Sequence, residues 1–264
     1  MSRIGQKFKQ LADETAFVGF VTAGDPTVEH TVKAMHALVR GGTDIIELGV
    51  PFSDPEAEGP AIQASSERAL ANGVSLDDVL AMTKAFRQED QTTPVVLMGY
   101  LNSFLAHPNL GSAAEAAGVD GFIIVNLPPE EASELRAELK PLGLDLIFLV
   151  APTTTDERAK YIASQASGFL YYVSLKGITG ADHLETEAVS ERLSALKAVS
   201  EIPVCVGFGI KDADTARSLG TMADGVVVGS ALVNAMAQFP DDVDGCATHL
   251  QALSQTIADG AKQR

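Results

Sequence analysis

Gly118-Val-Asp-Gly-Phe-Ile-Ile-Val-Asn126 is a short glycine-led, acidic lead-in followed by an apolar run that stops at a polar residue. The same unit recurs at Gly42-Thr-Asp-Ile-Ile-Glu-Leu-Gly-Val50, Gly143-Leu-Asp-Leu-Ile-Phe-Leu-Val-Ala151 and Ala223-Asp-Gly-Val-Val-Val-Gly-Ser230. Looser copies lie at 16–23, 94–99 and 202–207, and an eighth at 168–174. Most of these runs are continuously apolar rather than alternating, as expected of parallel strands buried on both faces. Amphipathic, Ala/Leu/Glu-rich stretches separate them, at 28–40, 76–89, 111–117, 129–140, 156–164, 187–199 and 212–219, with a last one at 241–262. Asp25-Pro-Thr27 offers a cap and a proline where the first of these helices starts. Pro128-Pro-Glu-Glu131 predicts another start, with two glutamates complementing the helix dipole.

Strand and helix alternate eight times, which predicts an α/β fold. A doubly wound open sheet competes with a closed barrel. The barrel is favoured because the strands spread over the whole length and none carries a dinucleotide fingerprint. Gly207-Phe-Gly209-Ile-Lys-Asp lacks the third glycine of G-x-G-x-x-G. The 264 residues thus read as a single (β/α)8 barrel domain, 1–264, with an extra N-terminal helix.

Composition narrows the function. Hydrophobic residues make up 46% and charged ones 20%, an ordinary globular balance. Lys and Arg total 19 against 35 Asp and Glu, a net charge of −16. That opposes nucleic-acid binding and docking on anionic lipid. No apolar run approaches a membrane span, and Met1 to Thr15 has no signal-peptide core. Two cysteines, Cys205 and Cys246, fit a reducing, cytoplasmic setting. The five histidines show no metal-ligand spacing, so no metal is expected.

In such a barrel the chemistry belongs at the C-terminal strand ends. Glu47 lies inside an apolar strand, where burial raises a carboxyl pKa and suits it to acid–base work. The loop that follows, Pro51-Phe-Ser-Asp-Pro-Glu-Ala-Glu-Gly-Pro60, is stiffened by prolines and holds three acids, any of which could be a second carboxylate or a solvated one. Gly207-Phe-Gly209 and Gly229-Ser230 fall after strands seven and eight, the usual phosphate site of this barrel. Lys176-Gly-Ile-Thr-Gly-Ala-Asp-His-Leu-Glu-Thr-Glu187 reads either as a mobile lid or as a surface loop. Lys176 stands past the apolar run, which argues against a Schiff-base role.

Taken together, these pieces resemble the tryptophan synthase alpha subunit family. The resemblance is carried by Phe17-Val-Gly-Phe-Val-Thr-Ala-Gly-Asp-Pro26, Ile46-Glu-Leu-Gly-Val-Pro-Phe-Ser-Asp-Pro55 with Gly59-Pro60, Gly177-Ile-Thr-Gly180, Gly207-Phe-Gly-Ile210 and Gly229-Ser230. It implies cleavage of indole-3-glycerol phosphate to indole and glyceraldehyde 3-phosphate, with no cofactor. It implies a beta-subunit partner in an alpha2-beta2 heterotetramer, touching the loops after strands two and six. The family's catalytic pair falls on Glu47 and Glu58. Its pocket falls on Phe20, Ile62, Met98, Tyr100, Ile123 and Tyr171, its lid threonine on Thr179, and its phosphate contacts on Gly180, Gly209, Gly229 and Ser230. This sequence departs from the family at Glu58 (usually aspartate), Glu56 (usually apolar) and Asn126 (often aspartate). The departures at Glu56 and Glu58 motivate an alternative, a catalytically weak barrel acting mainly as an allosteric partner. Indole-3-glycerol phosphate synthase is a third reading, which would favour a lysine at a strand end.

Overall fold

The structure, a computed structural model, describes residues 2–174, 183–207 and 209–263, with backbone alone for 183–186. Eight strands close into a barrel: β1 (Ala16–Thr22), β2 (Ile45–Gly49), β3 (Val95–Gly99), β4 (Gly121–Ile124), β5 (Asp145–Val150), β6 (Leu170–Val173), β7 (Val204–Gly207) and β8 (Gly225–Val228). Every neighbouring pair is parallel, and β8 returns to pair with β1. Each of the eight apolar runs is therefore a strand.

Inward and outward residues alternate within runs that look uniformly apolar. On β6, Tyr171 and Val173 join the barrel interior while Leu170 and Tyr172 join the outer layer. On β3, Val96 and Met98 point in, and Val95 and Leu97 out. Both layers are dry, which erases the period-2 signal from the sequence.

The helices described are α1 (Arg3–Leu11), α2 (Val28–Arg40), α3 (Pro60–Ala71), α4 (Leu76–Phe86), α5 (Leu101–Leu105), α6 (Leu110–Ala117), α7 (Ser133–Leu139), α8 (Asp156–Gln165), α9 (His183–Val199), α10 (Ala213–Gly220), α11 (Ser230–Met236) and α12 (Val243–Lys262). Thr27, Ser75, Thr155 and Asp212 cap their helices through their side chains, and Ser75 with Asp78 completes a capping box. Pro128 to Glu131 does not start a helix. It forms a turn ahead of α7, and Glu130 pairs with Arg158 instead of a helix dipole. The polar C-terminal stretch packs firmly as α12, burying Cys246, Leu250 and Ile257. None of the helices described is long and apolar enough to cross a membrane.

Helix α1 stops the N-terminal mouth of the barrel. Its Ile4 and Phe8 enter the interior cluster, Phe8 lying 6.1 Å from the Phe169 ring. Ser2 Oγ donates to Asp145 at 2.5 Å, and Arg3 Nη1 to Asp120 at 2.9 Å. Asp120 also takes a 2.8 Å bond from Arg87, a guanidinium 5% exposed whose remaining donors reach the carbonyls of Gly118, Asp90 and Thr93. A buried pair is tolerated only when its hydrogen bonds are filled in this way. The C-terminal mouth is left for chemistry.

Candidate active site

Glu47 occupies an inward position on β2, level with Phe20 on β1 and Val96 on β3. It is 1% exposed, and Oε2 has no hydrogen-bond partner. Burial, and then the nearby charge of Glu58, push its pKa up to about 8. The lone acid expected from the sequence is thus a neutral carboxylic acid at pH 7.

Glu58 comes from the loop between β2 and α3. It is half-buried, whereas Asp54 and Glu56 in the same loop are exposed. Burial raises its pKa to about 7. Two carboxyls with different environments share one site, the pattern that separates acid from base roles.

A narrow cleft opens beside Glu58, lined also by Phe20, Ile62, Met98 and Tyr100. Phe52, Thr22 and Ser66 complete its wall. A larger, open hollow lies near Arg136 and Asp145, at the opposite end of the strands, and holds none of the expected residues. Inward-facing glycines make room for the aromatic walls. A Cβ on Gly49 would come within 2.6 Å of the Phe20 ring, and one on Gly207 within 2.5 Å of the Tyr171 hydroxyl.

Tyr171 and Ile123 belong to the barrel interior below the cleft. Burial raises the Tyr171 pKa well above its usual value, and the charges of Glu47 and Glu58 raise it further. The phenol is therefore neutral, and close enough to feel both acids. Gly229 stands against the cleft wall, since a Cβ there would lie 3.4 Å from Phe20 and 3.6 Å from Ile62. Ser230 is exposed at the first turn of α11, and Gly209 is exposed with φ near +79°. Thr179, Gly180 and Lys176 lie outside the described residues.

Sequence reading missed α3. Its cap residue, Gly59, offers no side-chain signal, and Pro60 at its first turn reads equally as loop stiffener. The helix brings hydroxyls to the site. Ser65 Oγ lies 2.6 Å from Thr22 Oγ1, both buried. Arg68, on the same helix, forks onto the buried Asp25 at 2.6 and 2.9 Å, tying the loop after β1 to α3. Asn126 accepts the Leu101 N–H at 2.8 Å and so links the loops after β4 and β3. Among the described residues, no cluster of three His, Cys, Asp or Glu could hold a metal ion.

The family described as tryptophan synthase alpha chain matches residues 7–262. The tryptophan synthase alpha chain of Thioalkalivibrio sulfidiphilus is 53% identical over 246 residues, covering 92% of each chain. That of Chromobacterium violaceum is 55% identical over 235 residues, covering 88% of this chain and 90% of its own. A crystal structure of tryptophan synthase subunit alpha from Legionella pneumophila superposes over 100% of both chains, with a TM-score of 0.92 and 40% identity.

Proposed function

We propose residue roles from one premise: the chain belongs to the tryptophan synthase alpha chain family. It is a lyase that cleaves indole-3-glycerol phosphate to indole and glyceraldehyde 3-phosphate in tryptophan biosynthesis. Indole is a poor carbanion leaving group, so the ring must first accept a proton. In our reading Glu47 gives its proton to ring carbon C3, creating an electron sink. The same carboxylate then takes the proton of the adjacent glycerol hydroxyl as the C–C bond breaks. The bond electrons stay on indole, the hydroxyl carbon becomes the aldehyde, and Glu47 ends as it began. The observation that carries this role is a fully buried carboxyl with an unpartnered oxygen, raised to about 8 and so protonated at the start.

Glu58, ionised, accepts the ring N–H and stabilises the positive charge that grows on the ring. Phe20, Ile62, Met98 and Tyr100 hold the flat ring, with Ile123 and Tyr171 beneath it, and keep water away. Gly209, Gly229 and Ser230 offer backbone N–H groups to the phosphate. We extend the phosphate site to Gly180 and the covering loop to Thr179. The chain works as one barrel unit, 1–264.

The family implies a beta-subunit partner. We propose an alpha2-beta2 assembly docked on the C-terminal rim, where Asp54 and Glu56 are exposed and Leu105 on α5 stands 67% exposed. Two free, buried thiols, Cys205 and Cys246, favour a cytoplasmic setting. The test is steady-state cleavage of indole-3-glycerol phosphate by the wild type and by Glu47→Gln and Glu58→Gln, each with and without purified beta subunit. Loss of turnover in both variants, and a rise in wild-type turnover on mixing, is the expected result. Full turnover in either variant removes that residue's role.

A further inference from the structure

The loop that carries Glu58 has little scaffolding of its own. Glu56 N–H donates to the Asp54 carbonyl at 2.8 Å, and Glu58 N–H to that of Pro55 at 2.9 Å. These bonds curl the loop but do not fix it against the barrel. Two side chains reach its backbone around Glu58. Gln63, on α3, donates to the Glu58 carbonyl at 2.8 Å. The Tyr100 hydroxyl accepts the Ala57 N–H at 3.0 Å.

Tyr100 is itself firmly placed. It is 4% exposed, and its ring stacks on Phe52 of the same loop, with centroids 4.9 Å apart and planes 18° off parallel. The next residue, Leu101, is held by Asn126. Three consecutive β–α loops are thus linked through two adjacent residues, the Tyr100 side chain reaching the loop after β2 and the Leu101 N–H the loop after β4. Stacking alone would hold the rings together without fixing the peptide at Ala57, which lies between Pro55 and Pro60 and is conformationally freer than either.

We propose that the Tyr100 hydroxyl is a positioning group for Glu58. By accepting the Ala57 N–H it sets the peptide immediately before Glu58, and with it the place of that carboxylate over the cleft. The inference rests on the role given to Glu58 above. Burial raises the Tyr100 pKa, so the group stays a neutral acceptor. A displacement of ~1 Å in a catalytic group is enough to cost turnover.

The experiment is a double-mutant cycle on cleavage of indole-3-glycerol phosphate, with Tyr100→Phe, Glu58→Gln and the pair. Phenylalanine keeps the ring and its stack on Phe52, and Ala57 is an exposed residue whose part-buried N–H can turn to water, so the fold survives. The expected loss for Tyr100→Phe is about three- to tenfold in kcat with KM within about twofold, the worth of one hydrogen bond. Its rate profile should also shift at the acidic end, as a loosened Glu58 meets more water. In the Glu58→Gln background, Tyr100→Phe should cost nothing further. Full kcat in Tyr100→Phe, an effect on KM alone, or the same loss in both backgrounds overturns the proposal while leaving the role of Glu58 intact. Wild-type turnover in Glu58→Gln overturns both.

Discussion

Replacing Glu47 by glutamine tests the chemistry through the stability of the fold. In the folded chain this carboxyl titrates at about 8, and in the unfolded chain at its ordinary value of 4.5. Below pH 4.5 both states hold the proton and the residue adds no pH dependence. As pH rises from 4.5 to 8 the unfolded chain releases the proton and the folded chain keeps it, so stability falls. Each pH unit in that window weakens the folding equilibrium by about tenfold, roughly 5 kcal/mol in all. Above 8 both states are ionised and the full penalty persists. Glutamine has the same shape and no titration, so the variant should gain on the wild type steadily from pH 5 to pH 8 and hold that gain at pH 9. For a chain of this size that is a relative shift in Tm on the order of 10 °C. The chain has no tryptophan, so urea or thermal melts are best followed by far-ultraviolet circular dichroism. Turnover by the same variant should fall by at least about a hundredfold. Parallel stability curves across pH 5–9 would refute the reasoning, because the carboxyl would then titrate alike in both states and could not be the resting acid.

Three other outcomes are expected. In wild type the rate should rise as Glu58 loses its proton near pH 7 and fall as Glu47 loses its own near pH 8, a narrow bell whose two limbs belong to the coupled pair; a flat profile from pH 6 to 9 contradicts it. Gly207→Ala places a Cβ only 2.5 Å from the Tyr171 hydroxyl and should cost about 1–3 kcal/mol in denaturant melts along with most of the turnover; unchanged stability means the ring has room. Arg87→Met takes from Asp120 its buried partner at the closed end of the barrel, leaving only the half-exposed Arg3 as a cation, and should cost about 3 kcal/mol of stability, with kcat and KM of the folded enzyme unchanged; altered kinetics would show that this end communicates with the cleft.

The fold was legible because a parallel strand buried on both sides writes itself as an uninterrupted apolar run. Glu47 was legible for the same reason, as the one acid inside such a run. Glu58 was not separable from Asp54 and Glu56 by residue type. What separates them is burial, and burial depends on how the loop lies over β1 and β3, far away in sequence. Helix α3 was hidden because its alanines and serines give a weak apolar stripe and its cap residue is glycine. The bond from Ala57 to Tyr100 spans 43 residues, and no local pattern announces it.

The plug formed by α1 has a consequence for traffic. With Ile4 and Phe8 driven into the barrel interior, the molecule is blind-ended. Among the described residues that end of the barrel is closed, so under the roles proposed above substrate and products would pass the opposite rim, where Asp54, Glu56 and Leu105 stand exposed. A beta subunit seated on the proposed rim would then have custody of indole from the moment it forms, which would make docking and product handover one event.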